Sequence, residues 1–150
     1  MAETRQFCTF TLADQYFGLE VLKVQEIMRY QEMTRVPLAH TVVCGLINLR
    51  GQIVTVIDLR KRLDMPNRPA DLEPVNVVVH TDDGAVSLLV DEIGDVLQLD
   101  EISFERPPET LRGTARELIT GTYKLEDRLL LILDPERTVS LPTGNREFAH

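Results

Sequence analysis

A duplicated pattern of short apolar runs constrains the fold of this 150-residue chain more than any other feature. Residues 45–58 align without a gap with residues 121–134, and each copy has a glycine, an apolar run, a polar turn, a second apolar run and an aspartate. A second alignment pairs 7–10 with 76–79, 17–21 with 86–90, and 24–27 with 93–96. Repeats of short strands separated by turn residues are typical of small closed β structures. The sequence therefore predicts two similar β barrels with a groove between them.

The predicted elements follow from this alternation of apolar runs and turns. Strands are expected near 6–12, 16–21, 44–49, 53–58, 75–80, 85–91, 94–99, 118–124 and 128–133, with a turn of helix or a bent strand at 22–28 and a helix at 59–63. A polar, proline-rich segment at 65–74 is predicted to link the two halves. Asp58 and Asp134 each end an apolar strand, where a carboxylate can cap a short helix. Capping is a simpler interpretation of these two aspartates than a catalytic pair.

The polar turn is the part of the duplicated hairpin that differs most between the two copies. Arg50-Gly51 in the first copy aligns with Glu126-Asp127 in the second. A guanidinium at a hairpin tip is well shaped for two parallel hydrogen bonds to the carboxylate of a partner. Because the scaffold is duplicated while the cation is not, Arg50 is predicted to be functional; the alternative is an ordinary exposed arginine.

The charge of the chain is uneven and acidic overall. The formal net charge is −8, and residues 1–70 hold 9 Lys and Arg against 7 Asp and Glu, whereas residues 71–150 hold 7 against 17. This balance argues against phosphate-backbone binding and favours protein partners. The basic run Arg60-Lys61-Arg62 leaves a peptide-binding or RNA-binding module as a less favoured alternative, since basic residues at a helix end commonly form a solvated face.

Catalytic and metal-binding patterns are sparse. Cys8 and Cys44, the two cysteines, have no ligand-like spacing and are interpreted as free thiols in a reducing compartment. The serines lie outside any nucleophile motif, the glycines form no phosphate-binding loop, and the histidines stand apart from other metal ligands. The chain is therefore predicted to be neither an enzyme nor a cofactor-binding or metal-binding protein. No run approaches the roughly 20 apolar residues that span a bilayer, which predicts a cytoplasmic protein.

Several motifs together resemble the CheW family of bacterial chemotaxis coupling proteins. They occupy residues 17–27, 34–37, 48–51, 56–60 and 89–93, and the resemblance extends over about residues 5–140. It implies one CheW-like domain over 1–150, mainly β, made of two five-stranded SH3-like barrels that share a hydrophobic interface. The subdomains are expected near 14–66 and 75–134, with the N- and C-terminal segments packing across both.

The resemblance also implies a function and its partners. CheW-like proteins are non-enzymatic scaffolds that link the cytoplasmic tip of methyl-accepting chemoreceptors to the regulatory domain of the histidine kinase CheA, and they join other CheW-like domains in rings. Such a protein is recruited from the cytoplasm to membrane-associated receptor arrays, and a pilus or other non-flagellar pathway is an alternative setting. Matching positions imply receptor binding by Val24, Glu26, Gly45 and Arg50, and kinase binding by Ile102, Phe104 and Pro107.

Overall fold

The computed structural model describes residues 3–141 as ten strands and three short helices. The strands are β1 (Thr4–Leu12), β2 (Gln15–Glu20), β3 (Val24–Arg29), β4 (Val43–Leu49), β5 (Gln52–Asp58), β6 (Val75–Thr81), β7 (Gly84–Val90), β8 (Glu92–Asp100), β9 (Ile119–Lys124) and β10 (Leu129–Leu133). The helices are α1 (Leu59–Arg62), α2 (Gly113–Leu118) and α3 (Pro135–Val139), and two 3-10 turns cover Val21–Lys23 and Glu101–Ser103. The predicted all-β class is confirmed, whereas α2 and the separate strand β3 were not resolved from the sequence. The C-terminal part of the predicted terminal packing, beyond residue 141, lies outside the described residues.

The strands form two five-stranded sheets that exchange strands between the halves of the chain. Barrel 1 has the order β3-β6-β7-β5-β4, and barrel 2 has the order β8-β1-β2-β10-β9. The first repeat contains β1 to β5 and the second contains β6 to β10. If each strand is replaced by its equivalent in the other repeat, the strand order of barrel 1 becomes that of barrel 2. Each repeat thus gives its first two strands to one barrel and its last three to the other. The predicted boundaries at 14–66 and 75–134 therefore do not coincide with the two sheets, because β6 and β7 pair with strands of the first half.

The repeat extends to the register of strand pairing. In barrel 2 Phe17 lies opposite Leu131 in a parallel pair, and in barrel 1 the equivalent residues Val86 and Thr55 lie opposite each other. Antiparallel pairs behave in the same way, since Phe7 opposite Glu20 is matched by Asn76 opposite Leu89. Register is fixed where one face of a strand is buried. The two barrels are therefore built on one plan, related by an approximate twofold repeat.

Each sheet closes on itself through a single bridge. The segment after β3 returns to the opposite edge strand β4, where Thr34 and Leu46 exchange backbone hydrogen bonds of 2.9 and 2.8 Å. The segment after β8 returns to β9 in the same way, where Glu105 and Thr122 exchange bonds of 2.9 and 2.8 Å. Closure of this kind satisfies backbone groups at the sheet edges, and it gives both sheets the form of a small barrel.

Three apolar clusters hold the structure together. The largest is shared by both barrels, with Phe10, Phe17 and Leu131 from barrel 2 packed with Ile57 and Leu88 from barrel 1. Each barrel also has an interior of its own, around Val54 and Val56 in barrel 1 and around Phe7 and Tyr123 in barrel 2. Burying apolar surface is the main favourable term in folding. The shared cluster fixes the position of the two barrels relative to each other.

The two capping aspartates are confirmed. Asp58 Oδ1 accepts a 3.0 Å hydrogen bond from the backbone N–H of Arg60 at the start of α1. Asp134 Oδ1 accepts a 3.2 Å bond from the backbone N–H of Arg137 at the start of α3, where Pro135 occupies the first helical position. Both carboxylates satisfy donors that a helix leaves unpaired at its beginning.

Candidate functional site

The tip of the β4–β5 hairpin is a two-residue turn formed by Arg50 and Gly51. Leu49 and Gln52 close the ladder, and the two turn residues have φ angles of +53° and +87°. Two consecutive positive φ angles are characteristic of the type I′ hairpin turn, whose twist suits antiparallel strands. Asn48 Oδ1 accepts a 2.8 Å hydrogen bond from the backbone N–H of Gly51 and supports the turn. The turn places the Arg50 side chain at the surface, where it is 70% exposed.

Arg50 is already paired within the chain. Its Nη1 and Nη2 atoms donate hydrogen bonds of 2.7 Å each to Oε1 and Oε2 of Glu26. Two parallel bonds of this kind are the preferred geometry of an arginine and a carboxylate. Glu26 lies on β3 and the tip belongs to β4 and β5, so the ion pair joins the two edges of barrel 1. In this structure both hydrogen bonds of the Arg50 guanidinium are made to Glu26 of the same chain, and receptor binding by Arg50 stays a prediction.

The ion pair also fixes the charge state of both groups. The hydrogen bond from Arg50, aided by its positive charge, lowers the pKa of Glu26 from its ordinary value. The same bond raises the pKa of Arg50. Because the pKa of the folded carboxyl is depressed, the pairing is complete at neutral pH and is lost as the pH falls through the pKa of Glu26.

The other two residues predicted to bind the receptor have different surroundings. Val24 begins β3 and is half-buried, packed against the shared apolar cluster. Gly45 is buried in β4, and a Cβ atom there would lie 2.6 Å from the carbonyl oxygen of Thr34. That carbonyl accepts one of the hydrogen bonds that close barrel 1. The structure thus gives Gly45 a packing role, and any effect of this residue on a partner has to pass through the position of Thr34.

The residues predicted to bind the kinase lie on barrel 2. Ile102 is 79% exposed in the 3-10 turn that follows β8, and Pro107 is half-buried a few residues later. Phe104 lies between them, 39% exposed, with its ring 5.3 Å from that of Tyr123 and directly over Gly121. Phe104 therefore packs on β9 while part of its ring stays at the surface. Ile102 is the most accessible of the three.

The basic run in α1 is not a solvated face. Arg60 is 6% exposed, and its guanidinium pairs with Asp91 and donates to the backbone oxygens of Pro66 and Asn67. Arg62 donates to the backbone oxygens of residues 137, 138 and 140 at the end of α3. A guanidinium that is buried or committed to protein acceptors cannot serve as a phosphate contact. The interpretation of residues 60–62 as a solvated face was therefore wrong for Arg60 and Arg62, whereas Lys61 is exposed, and the RNA-binding alternative loses two of its three basic residues.

Asp91 is the residue that the sequence analysis missed. It lies between β7 and β8, where the chain passes from barrel 1 to barrel 2, and it is 4% exposed. Its carboxylate accepts bonds from Arg60, from Arg68 Nε at 2.7 Å and from the backbone N–H of Ala13 at 2.7 Å. Burial alone would raise the pKa of Asp91, but these bonds and the arginine charges outweigh it and lower the pKa. A single carboxylate thus ties α1 and the linker of barrel 1 to the β1–β2 turn of barrel 2.

A signal for this role was present in the sequence. The offset that aligns residues 17–21 with 86–90 places Asp91 opposite Leu22. A charge that replaces an apolar residue directly after a buried strand requires a partner of opposite charge. The partners are Arg60, from the run interpreted as a solvated face, and Arg68, from the predicted linker.

Three further observations concern residues 3–141. No group of three or more histidine, cysteine or carboxylate side chains in this part of the chain could hold a metal ion. None of its helices is long and apolar enough to cross a membrane. Burial raises the pKa of the Cys44 thiol to about 11, with Asp58 adding to the effect, and burial also raises the pKa of Cys8. Both thiols are therefore protonated near neutral pH.

The sequence and the structure are similar to those of known proteins. A family model described as "CheW-like domain" matches residues 6–142. The chemotaxis protein CheW of Klebsiella aerogenes is 35% identical over 136 residues, covering 91% of this chain and 82% of that protein. CheW of Bacillus subtilis is 36% identical over 125 residues, covering 83% and 80%. The crystal structure of the scaffolding protein TtCheW from Thermoanaerobacter tengcongensis has a TM-score of 0.84 at 28% identity, covering 93% of this chain and 94% of that one.

Proposed function

The chain belongs to the CheW family of chemotaxis scaffold proteins, and we propose that it couples the cytoplasmic tips of chemoreceptors to the histidine kinase CheA. In this proposal barrel 1 binds the receptor and barrel 2 binds the regulatory domain of the kinase. The protein carries out no reaction; it acts by holding two partners at a fixed separation. It is recruited from the cytoplasm to receptor arrays at the membrane.

One structural observation carries the proposal: two barrels built on one plan present unlike surfaces. The tip of barrel 1 carries a charged fork, Arg50 with Glu26, whereas barrel 2 presents the exposed apolar residue Ile102 beside Phe104. The shared apolar cluster and the Asp91 ion pairs hold the barrels together. A rigid body with two unlike surfaces suits a scaffold that binds two unlike partners.

The direct test is reconstitution of the ternary assembly. Mixing the protein with a chemoreceptor cytoplasmic fragment and CheA should give particles that sediment together and kinase autophosphorylation that differs from that of the kinase alone. Failure to associate with either partner would refute the proposal.

The contribution of the fork can be separated from its role as an internal ion pair. Arg50→Glu should weaken receptor coupling at least tenfold while the far-UV spectrum stays that of a folded protein. The double variant Glu26→Arg with Arg50→Glu restores the ion pair in reversed orientation, which keeps barrel 1 joined but reverses the charge that a partner meets. If Arg50 contacts the receptor, the double variant remains defective; full recovery of coupling would show that the ion pair matters only within the chain.

The kinase surface has a matched control. Ile102 and Leu38 are both 79% exposed, Ile102 on barrel 2 and Leu38 in the β3–β4 connection of barrel 1. Ile102→Asp should weaken binding to the kinase regulatory domain by at least tenfold, since a charge placed in an apolar contact loses its hydration. Leu38→Asp should leave that affinity within about twofold. Equal effects of the two variants would place the kinase contact elsewhere.

A further inference from the structure

The ion pair that joins β3 to the hairpin tip in barrel 1 has no counterpart among the described residues of barrel 2. In barrel 1 the carboxylate of Glu26 on β3 is bound by Arg50 at the hairpin tip. The repeat places Asp95 of β8 at the position of Glu26, and Glu126 at the position of Arg50. The turns are matched in register, since Leu49 and Gln52 correspond to Leu125 and Arg128, whose backbone groups bond at 2.8 Å. Barrel 2 therefore has two carboxylates where barrel 1 has an ion pair.

The nearest cation of the second tip is engaged elsewhere. The Arg128 guanidinium lies 4.3 Å from the centre of the Tyr16 ring, with Asp127 at 3.9 Å. Among the residues that the structure describes, the carboxylates of Asp95 and Glu126 take part in no ion pair. Like charges at the two positions equivalent to Glu26 and Arg50 cannot form the ion pair that joins β3 to the hairpin tip in barrel 1.

The strand that contains Asp95 is also exposed. All of the first five residues of β8, from Glu92 to Val96, are exposed, whereas the equivalent strand β3 alternates between half-buried and exposed. Val96 is 57% exposed and Ile93 is 37% exposed. In the described part of the chain β8 pairs with β1 alone, so its other edge has free backbone donors and acceptors. An edge strand of this kind can accept an added strand from a partner.

The charge of β8 indicates what that strand must carry. Glu92, Asp95 and Asp100 are its charged residues, and no basic residue lies within it. Pairing of two copies through β8 would bring six carboxylates together, which is unfavourable. We propose that the open edge of barrel 2, formed by residues 92–96 and the Glu126-Asp127 tip, binds an extended arginine-bearing segment of a partner protein. The arginine of that segment would bind the carboxylates of Asp95 and Glu126, and so take the part that Arg50 has in barrel 1. Apolar residues of the same segment would cover Ile93 and Val96.

This inference does not depend on which receptor or kinase the protein couples. It is tested with the full chain and a labelled eight-residue peptide that alternates arginine with valine, compared with a peptide that alternates glutamate with valine. The arginine peptide should bind at least tenfold more tightly at low salt, weaken as salt is raised, and slow the amide exchange of residues 92–96. Equal binding of the two peptides, or protection that falls on β3 instead of β8, would overturn the proposal.

Variants of the chain itself give a second, independent test. Glu126→Arg should form within barrel 2 the ion pair with Asp95 that barrel 1 already has, and should thereby reduce affinity for the arginine peptide at least tenfold. Glu126→Gln, which removes the charge without adding a cation, should reduce it less. Asp83→Arg makes the same change in charge at the exposed β6–β7 turn, at the end of β7 remote from β8, and should leave affinity within about twofold. If Asp83→Arg weakens binding as much as Glu126→Arg, the peptide responds only to net charge and the proposed site is wrong.

Discussion

The two repeats have their ionic contacts at different positions: at the hairpin tip in the first repeat, and at the crossover between barrels in the second. In the first repeat the crossover between barrels is the exposed 3-10 turn Val21–Lys23, with Leu22 89% exposed, and the hairpin tip is closed by the Arg50–Glu26 pair. In the second repeat the crossover is Asp91, buried between two arginines, and the tip is open. Duplication of a backbone plan therefore leaves each copy free to acquire its own polar contacts.

The difference in burial decides what each contact does. An exposed ion pair gains little because water already solvates and screens both charges. A buried carboxylate has lost that water, so the loss of its partners leaves charge without compensation. The Asp91 cluster is therefore expected to control stability, and the Arg50–Glu26 pair to control the shape and charge of a surface.

Removing Asp91 should have the largest effect. Asp91→Ala leaves the buried Arg60 without its carboxylate and leaves Arg68 with Asp58 alone, and loss of one partner from a buried pair costs about 3–5 kcal/mol. Chemical denaturation should show this decrease in the free energy of unfolding. Leu22→Ala, at the equivalent crossover, is the control and should change stability by less than about 0.5 kcal/mol. Similar losses in both variants would show that the two crossovers contribute alike.

The same carboxylate should make stability depend on acid. The pKa of Asp91 is lower in the folded protein than its ordinary value, so the unfolded chain binds a proton more readily than the folded one. Its contribution is complete above the unfolded pKa, about 3.9, and is lost as the pH falls through the folded pKa. Denaturation measured between pH 7 and pH 2 should show this loss in the wild-type protein, and Asp91→Asn should remove that part of the pH dependence. An unchanged pH profile in Asp91→Asn would contradict the assignment.

The sequence predicted the plan of the fold better than its connections. The repeat, the hairpin of residues 45–58 and the capping aspartates followed from periodicity and turn residues, which are local. The exchange of β6 and β7 into barrel 1 was missed because strand pairing depends on contacts between residues far apart in sequence. Sequence order alone therefore suggested two successive subdomains.

The candidate site was predictable to a similar extent. Alignment of the two repeats singled out Arg50 because the equivalent residue is Glu126. The pairing of Arg50 with Glu26 was not predicted, since the two residues are 24 positions apart and meet only when barrel 1 closes. Arg60 was misinterpreted for the opposite reason: a basic residue in a short helix is usually exposed, and only the distant Asp91 explains its burial.

Substitutions of Gly45 and Gly121, which lie next to the bridges that close the two barrels, should have effects on stability of intermediate size. A Cβ atom at Gly45 would meet the backbone carbonyl of Thr34, which cannot move without disturbing the bridge to Leu46. A Cβ atom at the equivalent Gly121 would meet the side chain of Phe104, which has rotational freedom. Gly45→Ala should therefore cost about 1–3 kcal/mol, the usual range for overpacking.

The matched variant Gly121→Ala should cost less than Gly45→Ala, and Phe104→Leu in the same chain should recover part of its loss. Chemical denaturation of the two single variants and of the double variant measures both differences. If Gly121→Ala lowers the free energy of unfolding more than Gly45→Ala does, the Phe104 side chain cannot move aside to make room for the added Cβ atom. The predicted difference between the two glycines would then be wrong.

The smallest effect on stability is expected at the closed tip of barrel 1. Arg50→Gln removes an ion pair whose guanidinium is 70% exposed, so the free energy of unfolding should change no more than in Lys124→Gln, which removes the exposed pair with Glu105 on barrel 2. The two variants should differ locally, because the Arg50 pair joins β3 to a hairpin tip with which β3 shares no backbone hydrogen bond among the described residues. Glu105 and Lys124 instead lie on segments that the bridge between Glu105 and Thr122 already joins. Amide exchange at residues 24–29 should therefore accelerate in Arg50→Gln while exchange in β9 stays unchanged in Lys124→Gln. If amide exchange in β3 is the same with and without Arg50, the backbone bridge between Thr34 and Leu46 is enough to close barrel 1. The ion pair would then not stabilise β3, and its absence from barrel 2 would not make β8 less stable than β3.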